Sequence, residues 1–185
     1  NFPTVKSPNP ENREGFALAI ELAKREDVDL IIGTDPDADR VGVVVRNDSG
    51  EYVTITGNQM GVLLLDYIIG AKKRAGTLTD KAYAIKTVVT TEMARKVCEM
   101  NDVKMYETFT GFKFIAEKIE NVGSEGFLLG YEESYGYLMG DFCRDKDAVT
   151  ASMMIAEMAA YYKSRNMSLY DAMESLYEKY GAYAE

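Results

Sequence analysis

Helical and strand periodicities alternate along most of this chain, and no other feature narrows its possible folds as far. From Asn58 onward the apolar pattern predicts a helix over 59–73, a strand over 82–89, a helix over 91–100 and a strand over 103–108. The rhythm continues with a helix over 112–119, a strand over 126–131 and a long helix over 147–163. Alternation of this kind is α/β layering, in which strands are covered by helices on both faces. A last helix over 169–180 places Leu169, Ala172, Met173, Leu176, Tyr177 and Tyr180 on one stripe, which is expected to be core. Thr91 and Asp147 are both suitable helix starts, through capping and through negative charge at the positive end of the dipole.

The first third reads differently. Phe16, Ala19, Ile20 and Ala23 recur at helical spacing, with Lys24 and Arg25 in the last turn. Short apolar runs over 28–33 and 41–45 then predict two strands, and Asn47-Asp48-Ser49-Gly50 predicts a turn into a return strand over 52–55. The expected boundary between this unit and the alternating one lies near Thr56-Gly57, giving units of 1–56 and 57–185. At 185 residues the chain can bury roughly 70% of its unfolded surface, enough for a substantial core. Met153, Met154 and Met158 on the 147–163 helix are expected to pack there.

Composition removes several kinds of chemistry. There is no histidine, which excludes Ser-His-Asp and Cys-His catalysis and His-ligated zinc from within these residues. Thirty acidic against 21 basic residues leave a formal charge of −9, unfavourable for a phosphate backbone, so no nucleic-acid partner is expected. Cys98 and Cys143 form no C-x-x-C pair, and a reduced cytoplasm is the simplest setting. The apolar stretch over 61–71 is interrupted by Asp66 and too short to span a bilayer, so no membrane association is expected. The start, Asn1-Phe2-Pro3-Thr4, has neither a signal-peptide pattern nor an initiator Met, and the chain is expected to be a piece of something longer.

Between the first two predicted strands lies Thr34-Asp35-Pro36-Asp37-Ala38-Asp39-Arg40, where three carboxylates alternate on a tight loop. Two unit charges about 4 Å apart repel by ~1 kcal/mol in water and ~4 kcal/mol at an effective dielectric near 20, a cost that a divalent cation removes. All-oxygen ligands favour Mg²⁺, Ca²⁺ or Mn²⁺ over zinc. The loop also lies at the carboxyl end of a strand, where α/β proteins place their sites. An EF-hand is excluded, because Arg40 and Arg46 stand where that loop needs Gly and Glu. Arg40 after the last acid suggests that an anion, most simply a phosphate, shares the site.

The string Gly33-Thr34-Asp35-Pro36-Asp37-Ala38-Asp39-Arg40 closely resembles the metal loop of the α-D-phosphohexomutases, the phosphoglucomutase and phosphomannomutase family. Two further motifs arrive in the family's order: Glu107-Thr108-Phe109-Thr110-Gly111-Phe112-Lys113-Phe114 and Gly130-Tyr131-Glu132-Glu133-Ser134-Tyr135-Gly136, followed by Arg144-Asp145-Lys146-Asp147. The resemblance covers essentially the whole chain. It implies an α/β fold with a mixed sheet layered with helices: the family's third, sugar-binding domain preceded by the C-terminal part of its metal-binding second domain. Tyr131 and Tyr135 resemble the branch of bacterial α-phosphoglucomutases and phosphopentomutase-like enzymes.

The implied activity is interconversion of glucose 1-phosphate and glucose 6-phosphate through a phosphoserine and glucose 1,6-bisphosphate. Phosphopentomutase or phosphomannomutase specificity, and a non-catalytic metal and sugar-phosphate binding module, remain alternatives. A phosphatase with an aspartyl nucleophile fits less well, since the expected acid spacing and following Thr are not met. The resemblance makes Asp35, Asp37 and Asp39 the ligands of Mg²⁺ and gives Arg40 and Lys146 catalytic and substrate-binding roles. Glu132 and Ser134 would bind vicinal sugar hydroxyls, and Thr110, Gly111 and Phe112 would form the opposite wall, with Phe112 offering a ring for stacking. No serine here matches the context of the phosphoserine, which a His follows in the family, so that residue and the phosphate-grip loop are expected from flanking domains of the same enzyme. The isolated fragment is expected to be inactive.

Overall fold

Residues 2–183 are described in the computed structural model; residue 1 and residues 184–185, the ends of the two expected units, lie outside the described residues. The first strands, β1 (Leu30–Thr34), β2 (Val41–Arg46) and β3 (Tyr52–Ile55), form an antiparallel meander in the order β1-β2-β3. Helix α1 (Ala17–Glu26), entered through a single 3₁₀ turn (Arg13–Phe16), covers one face. Phe16 reaches the sheet where Gly33 and Gly42 face each other across β1 and β2. A Cβ on Gly33 would lie 2.8 Å from its ring, so this pair of glycines makes the space that the buried ring fills. The predicted strand over 28–33 starts instead at Leu30, because Asp27 ends α1 in the left-handed region and the Val28 N–H turns back to the Ala23 carbonyl.

The second sheet comprises β4 (Tyr83–Thr87), β5 (Lys104–Thr108), β6 (Phe127–Glu132) and β7 (Gly136–Leu138) in the order β5-β4-β6-β7. β4 runs parallel to β5 and β6, and β7 turns back antiparallel to β6, so the sheet is mixed. The helices are α2 (Gly57–Ala75), α3 (Met93–Glu99), α4 (Phe112–Val122), α5 (Ala148–Lys163) and α6 (Leu169–Tyr180). Alternation along β4 explains the two layers: Ala84 faces the large core shared with α2, α3, α5 and α6, whereas Tyr83 and Ile85 pack with Ile115 and Ile119 of α4. Each fully buried Val, Leu, Ile or Met contributes about 1.5–3 kcal/mol relative to exposure. The large core continues into Val41, Val43, Val45 and Ile55 of the first sheet, so it crosses the Thr56-Gly57 position. There α2 begins with a capping box, Thr56 Oγ1 accepting from the Gln59 N–H while Gln59 Oε1 accepts from the Thr56 N–H.

Four further details depart from the sequence-based reading. β4 ends at Thr87 rather than continuing to 89, because Thr90 Oγ1 donates to the Thr87 carbonyl and folds a turn that exposes Val88 and Val89. α3 starts at Met93 rather than at Thr91, whose hydroxyl accepts the Met93 N–H from outside the helix. Met153 is 61% exposed, while Met158 is buried and Met154 partly so; the core-facing stripe of α5 excludes Met153. The short strand β7 is absent from the sequence-based reading altogether. The α6 stripe is buried at Leu169, Ala172, Met173, Leu176 and Tyr180, with Tyr177 partly covered. Among the described residues no helix is long and apolar enough to cross a membrane.

Candidate functional site

The acidic loop leaves the carboxyl end of β1 and returns into β2, and its own first carboxylate organises it. Asp35 Oδ1 accepts the backbone N–H groups of Asp39 and Arg40, each at 3.1 Å. The Ala38 N–H donates to the Asp35 carbonyl, and Ala38 adopts a left-handed φ of 57° that turns Asp39 back toward Asp35. The result is three carboxylates with one oxygen each within 4.8 Å of one another. Asp39 Oδ1 is buried and accepts no hydrogen bond, with Arg40 Nε 3.8 Å away. A buried carboxylate oxygen without a donor, facing two more carboxylates, is a donor set that fits a hard divalent cation.

The charges around this loop divide its acids. Burial pushes the Asp35 carboxyl above its ordinary range, reinforced by Asp39 and Asp37 and opposed by the Arg40 amide. Burial acts in the same direction on Asp39, but there Lys146 outweighs it, helped by Asp35 and Arg40, and holds the carboxyl below its ordinary range. Lys146 Nζ lies 3.0 Å from Asp39 Oδ2. Although burial disfavours its charge, the Asp39 contact raises the Lys146 ammonium above the usual lysine range. Its aliphatic stem lies across Gly136, where a Cβ would fall 2.2 Å from Lys146 Cδ. Arg40 pairs with Glu11 Oε1 at 3.1 Å, a partner from the N-terminal loop that spacing alone did not suggest.

The strand missing from the sequence-based reading joins the two functional loops. Arg40 makes an antiparallel bridge to Gly136 at the start of β7, and the Val41 N–H donates to the Tyr135 carbonyl at 3.1 Å. The Ala148 N–H, at the start of α5, donates to the Ala38 carbonyl at 2.9 Å. Ser134 therefore sits in the 133–135 turn between β6 and β7, immediately beside Arg40 and the acidic loop. Asp147 caps α5, accepting the Val149 N–H, so the Lys146 backbone is anchored directly before a helix.

Opposite this turn, the loop after β5 carries Thr110, which is exposed, and Gly111, whose φ of 113° only glycine adopts readily. The Gly111 N–H donates to Glu132 Oε1 at 2.8 Å, so the two loops are bonded to each other. Glu132 is 7% exposed and ends β6. Phe112 is 4% exposed, packed in the α4 core with Lys146 Nζ 5.6 Å from its ring centroid. Its ring thus floors the site beneath Lys146 and has no open face for stacking, while Phe109 is the exposed aromatic of this loop. Sequence reasoning also passed over Lys86 and Thr87, although a lone lysine in the apolar run Ala82-Tyr83-Ala84-Ile85-Lys86 was a visible signal.

Residues 56–180 match the family model described as phosphoglucomutase/phosphomannomutase, alpha/beta/alpha domain III, and residues 1–50 match that of domain II. A phosphoglucomutase of Staphylococcus haemolyticus (strain JCSC1435) is 37% identical over 186 residues, an alignment covering 100% of this chain and 33% of the relative. Among solved structures, a phosphoglucomutase/phosphomannomutase family protein from Burkholderia thailandensis superposes with a TM-score of 0.73 at 21% identity, covering 95% of this chain and 34% of that one. An N-acetylphosphoglucosamine mutase from Aspergillus fumigatus, solved in complex with GlcNAc-6P and magnesium, superposes with a TM-score of 0.57 at 13% identity over 87% and 36% of the two chains. These two superpositions show a shared fold. The chain spans about a third of the length of the curated relatives it matches.

Proposed function

The chain belongs to the phosphoglucomutase/phosphomannomutase family, and on that premise we propose that it supplies the metal and sugar-recognition loops of an enzyme interconverting glucose 1-phosphate and glucose 6-phosphate. The observation that carries this reading is the convergence of Asp35, Asp37 and Asp39 within 4.8 Å, with Lys146 on Asp39 and the Ser134 turn bridged to the same loop. Residues 1–56 form the end of the metal-binding domain and 57–185 the sugar-binding domain in this proposal. The phosphoserine and a phosphate-binding loop come from other parts of a longer protein.

Phosphoryl transfer needs in-line geometry and neutralisation of the transferred group's oxygens, because charge rather than covalent chemistry limits the step. A Mg²⁺ held by Asp35, Asp37 and Asp39 supplies that neutralisation when bound. Arg40, flanked by Glu11 and Asp39, takes phosphoryl oxygens in this proposal. Lys146 is held at the metal loop with little exposed surface and is placed to hold or move a proton at the bridging oxygen. Glu132 and Ser134, two residues apart across a tight turn, bind two neighbouring hydroxyls of the sugar, and Thr110 with Gly111 form the facing wall. Glucose 1,6-bisphosphate is the intermediate that turns between the two orientations.

Two measurements test the proposal. Magnesium titrated into the chain should raise its unfolding temperature, with about 2.7 kcal/mol gained at a hundredfold excess over Kd, and Asp37→Asn should abolish the rise. A wild-type chain indifferent to magnesium would refute the metal assignment. In a coupled assay, the longer protein should turn over glucose phosphates in preference to mannose and ribose phosphates, with Lys146→Ala strongly impaired. Turnover by this chain alone would refute the proposed division of labour.

A further inference from the structure

The carboxyl end of β4 carries a charge that the site above does not use. Lys86 is fully buried, on a strand whose preceding residues are core. Its ammonium donates to Glu92 Oε1 at 2.8 Å and to the Thr90 carbonyl at 3.1 Å, and pairs with Glu107 Oε1 at 2.8 Å. Arg95 closes the ring by pairing with both carboxylates. Lys86 is the buried member of this network, while Glu92, Glu107 and Arg95 reach solvent, and an ion pair that takes a charge out of water is a poor source of stability, since apolar side chains of similar volume do as well or better. What such a network does well is hold groups in one arrangement.

The groups it holds are the bases of both walls described above. Glu107 and Thr108 end β5 directly before the 109–111 loop, and the Val88 N–H donates to the Thr108 carbonyl at 2.9 Å. The next residue on β4, Thr87, is also fully buried and donates from Oγ1 to Glu133 Oε2 at 3.0 Å, in the turn of the other wall. The walls in turn grip each other through the Gly111 to Glu132 hydrogen bond. Two adjacent residues of one strand therefore hold two loops whose own contact closes the triangle.

We propose that Lys86 and Thr87 are positioning residues that fix the spacing between the Thr110–Gly111 and Glu132–Ser134 walls, and so set which sugar phosphate fits between them. This rests on the reading of those walls as sugar-binding. Neither residue has exposed surface through which to touch the ligand; both act through Glu107 and Glu133.

Amide hydrogen exchange followed by NMR, with glucose 1-phosphate as the titrated probe, tests this in the chain itself. Lys86→Met keeps the stem and removes the ammonium, and Thr87→Val keeps the shape and removes the hydroxyl; the second carries the test should the first not fold. In each, the Gly111 amide should exchange at least tenfold faster while core amides of Leu64 and Ile85 keep their rates, and affinity for glucose 1-phosphate should fall at least fivefold. Unchanged exchange at Gly111, or equal acceleration at Gly111 and Ile85, would overturn the clamp. Faster exchange at Gly111 with unchanged affinity would overturn its role in sugar selection. Should glucose 1-phosphate move no wild-type resonance, the sugar-binding reading fails, and Gly111 exchange alone still decides the clamp.

Discussion

Gly136→Ala inserts a methyl group into space that the Lys146 stem occupies. The new Cβ would lie 2.2 Å from Cδ and 2.8 Å from Cγ of Lys146, against an ordinary carbon contact of roughly 3.5 Å. The stem must retreat by more than about 1 Å, and the 3.0 Å ion pair between Lys146 Nζ and Asp39 cannot survive that shift unaltered. Overpacking of this kind costs ~1–3 kcal/mol. In a chain of this size each kcal/mol moves the unfolding temperature by about 2–4 °C, so a fall of roughly 2–12 °C is expected in a thermal melt. A double-mutant cycle with Lys146→Ala isolates the cause, because removing the stem removes the collision. Gly136→Ala should then be close to neutral. An equal cost in both backgrounds would show that the strain lies in the β7 backbone or its bridge to Arg40, and the reasoning would be refuted.

Two further outcomes follow from the titrating groups. Burial pushes the Cys98 thiol up to about 12 and leaves it almost without exposed surface, whereas Cys143 is partly exposed. A thiol reagent at pH 8 should therefore modify one cysteine per native chain, Cys143, and two in denaturant; rapid modification of Cys98 in the native state would contradict the packing of α3. Lys86 holds the Glu92 and Glu107 carboxyls below their ordinary range, with Arg95 adding to both. Carboxyls lowered by folding stabilise the native state above their unfolded value, about 4.3, and that contribution is lost as pH falls through the lowered native values. Urea unfolding between pH 5 and pH 3 should show stability declining with acid, less steeply in Glu107→Gln; identical slopes would exclude the contribution of Glu107.

Much of the architecture is legible in the chain itself because its signals are short-range. Apolar periodicity marks six helices and, among the described residues, six of the seven strands, and local capping by Asp147 marks where one of those helices begins. The acidic loop is equally local: alternating Asp35, Asp37 and Asp39 between two β-branched runs can converge without help from elsewhere. What tertiary structure alone decides is every contact that spans a long stretch of chain. Strand β7 has three residues, too few for a periodic signal, and exists because β6 on one side and Arg40 on the other give its backbone partners. That pairing brings residue 136 to residue 40 and so delivers Ser134 and Lys146 to the metal loop. Phe112 shows the converse, a ring that sequence offers as a stacking surface and that packing against Ile115 and Tyr83 consumes. Lys86 is the same lesson in charge: the predicted strand runs through it without assigning it a role, and only the fold supplies the two carboxylates that make a buried ammonium tolerable.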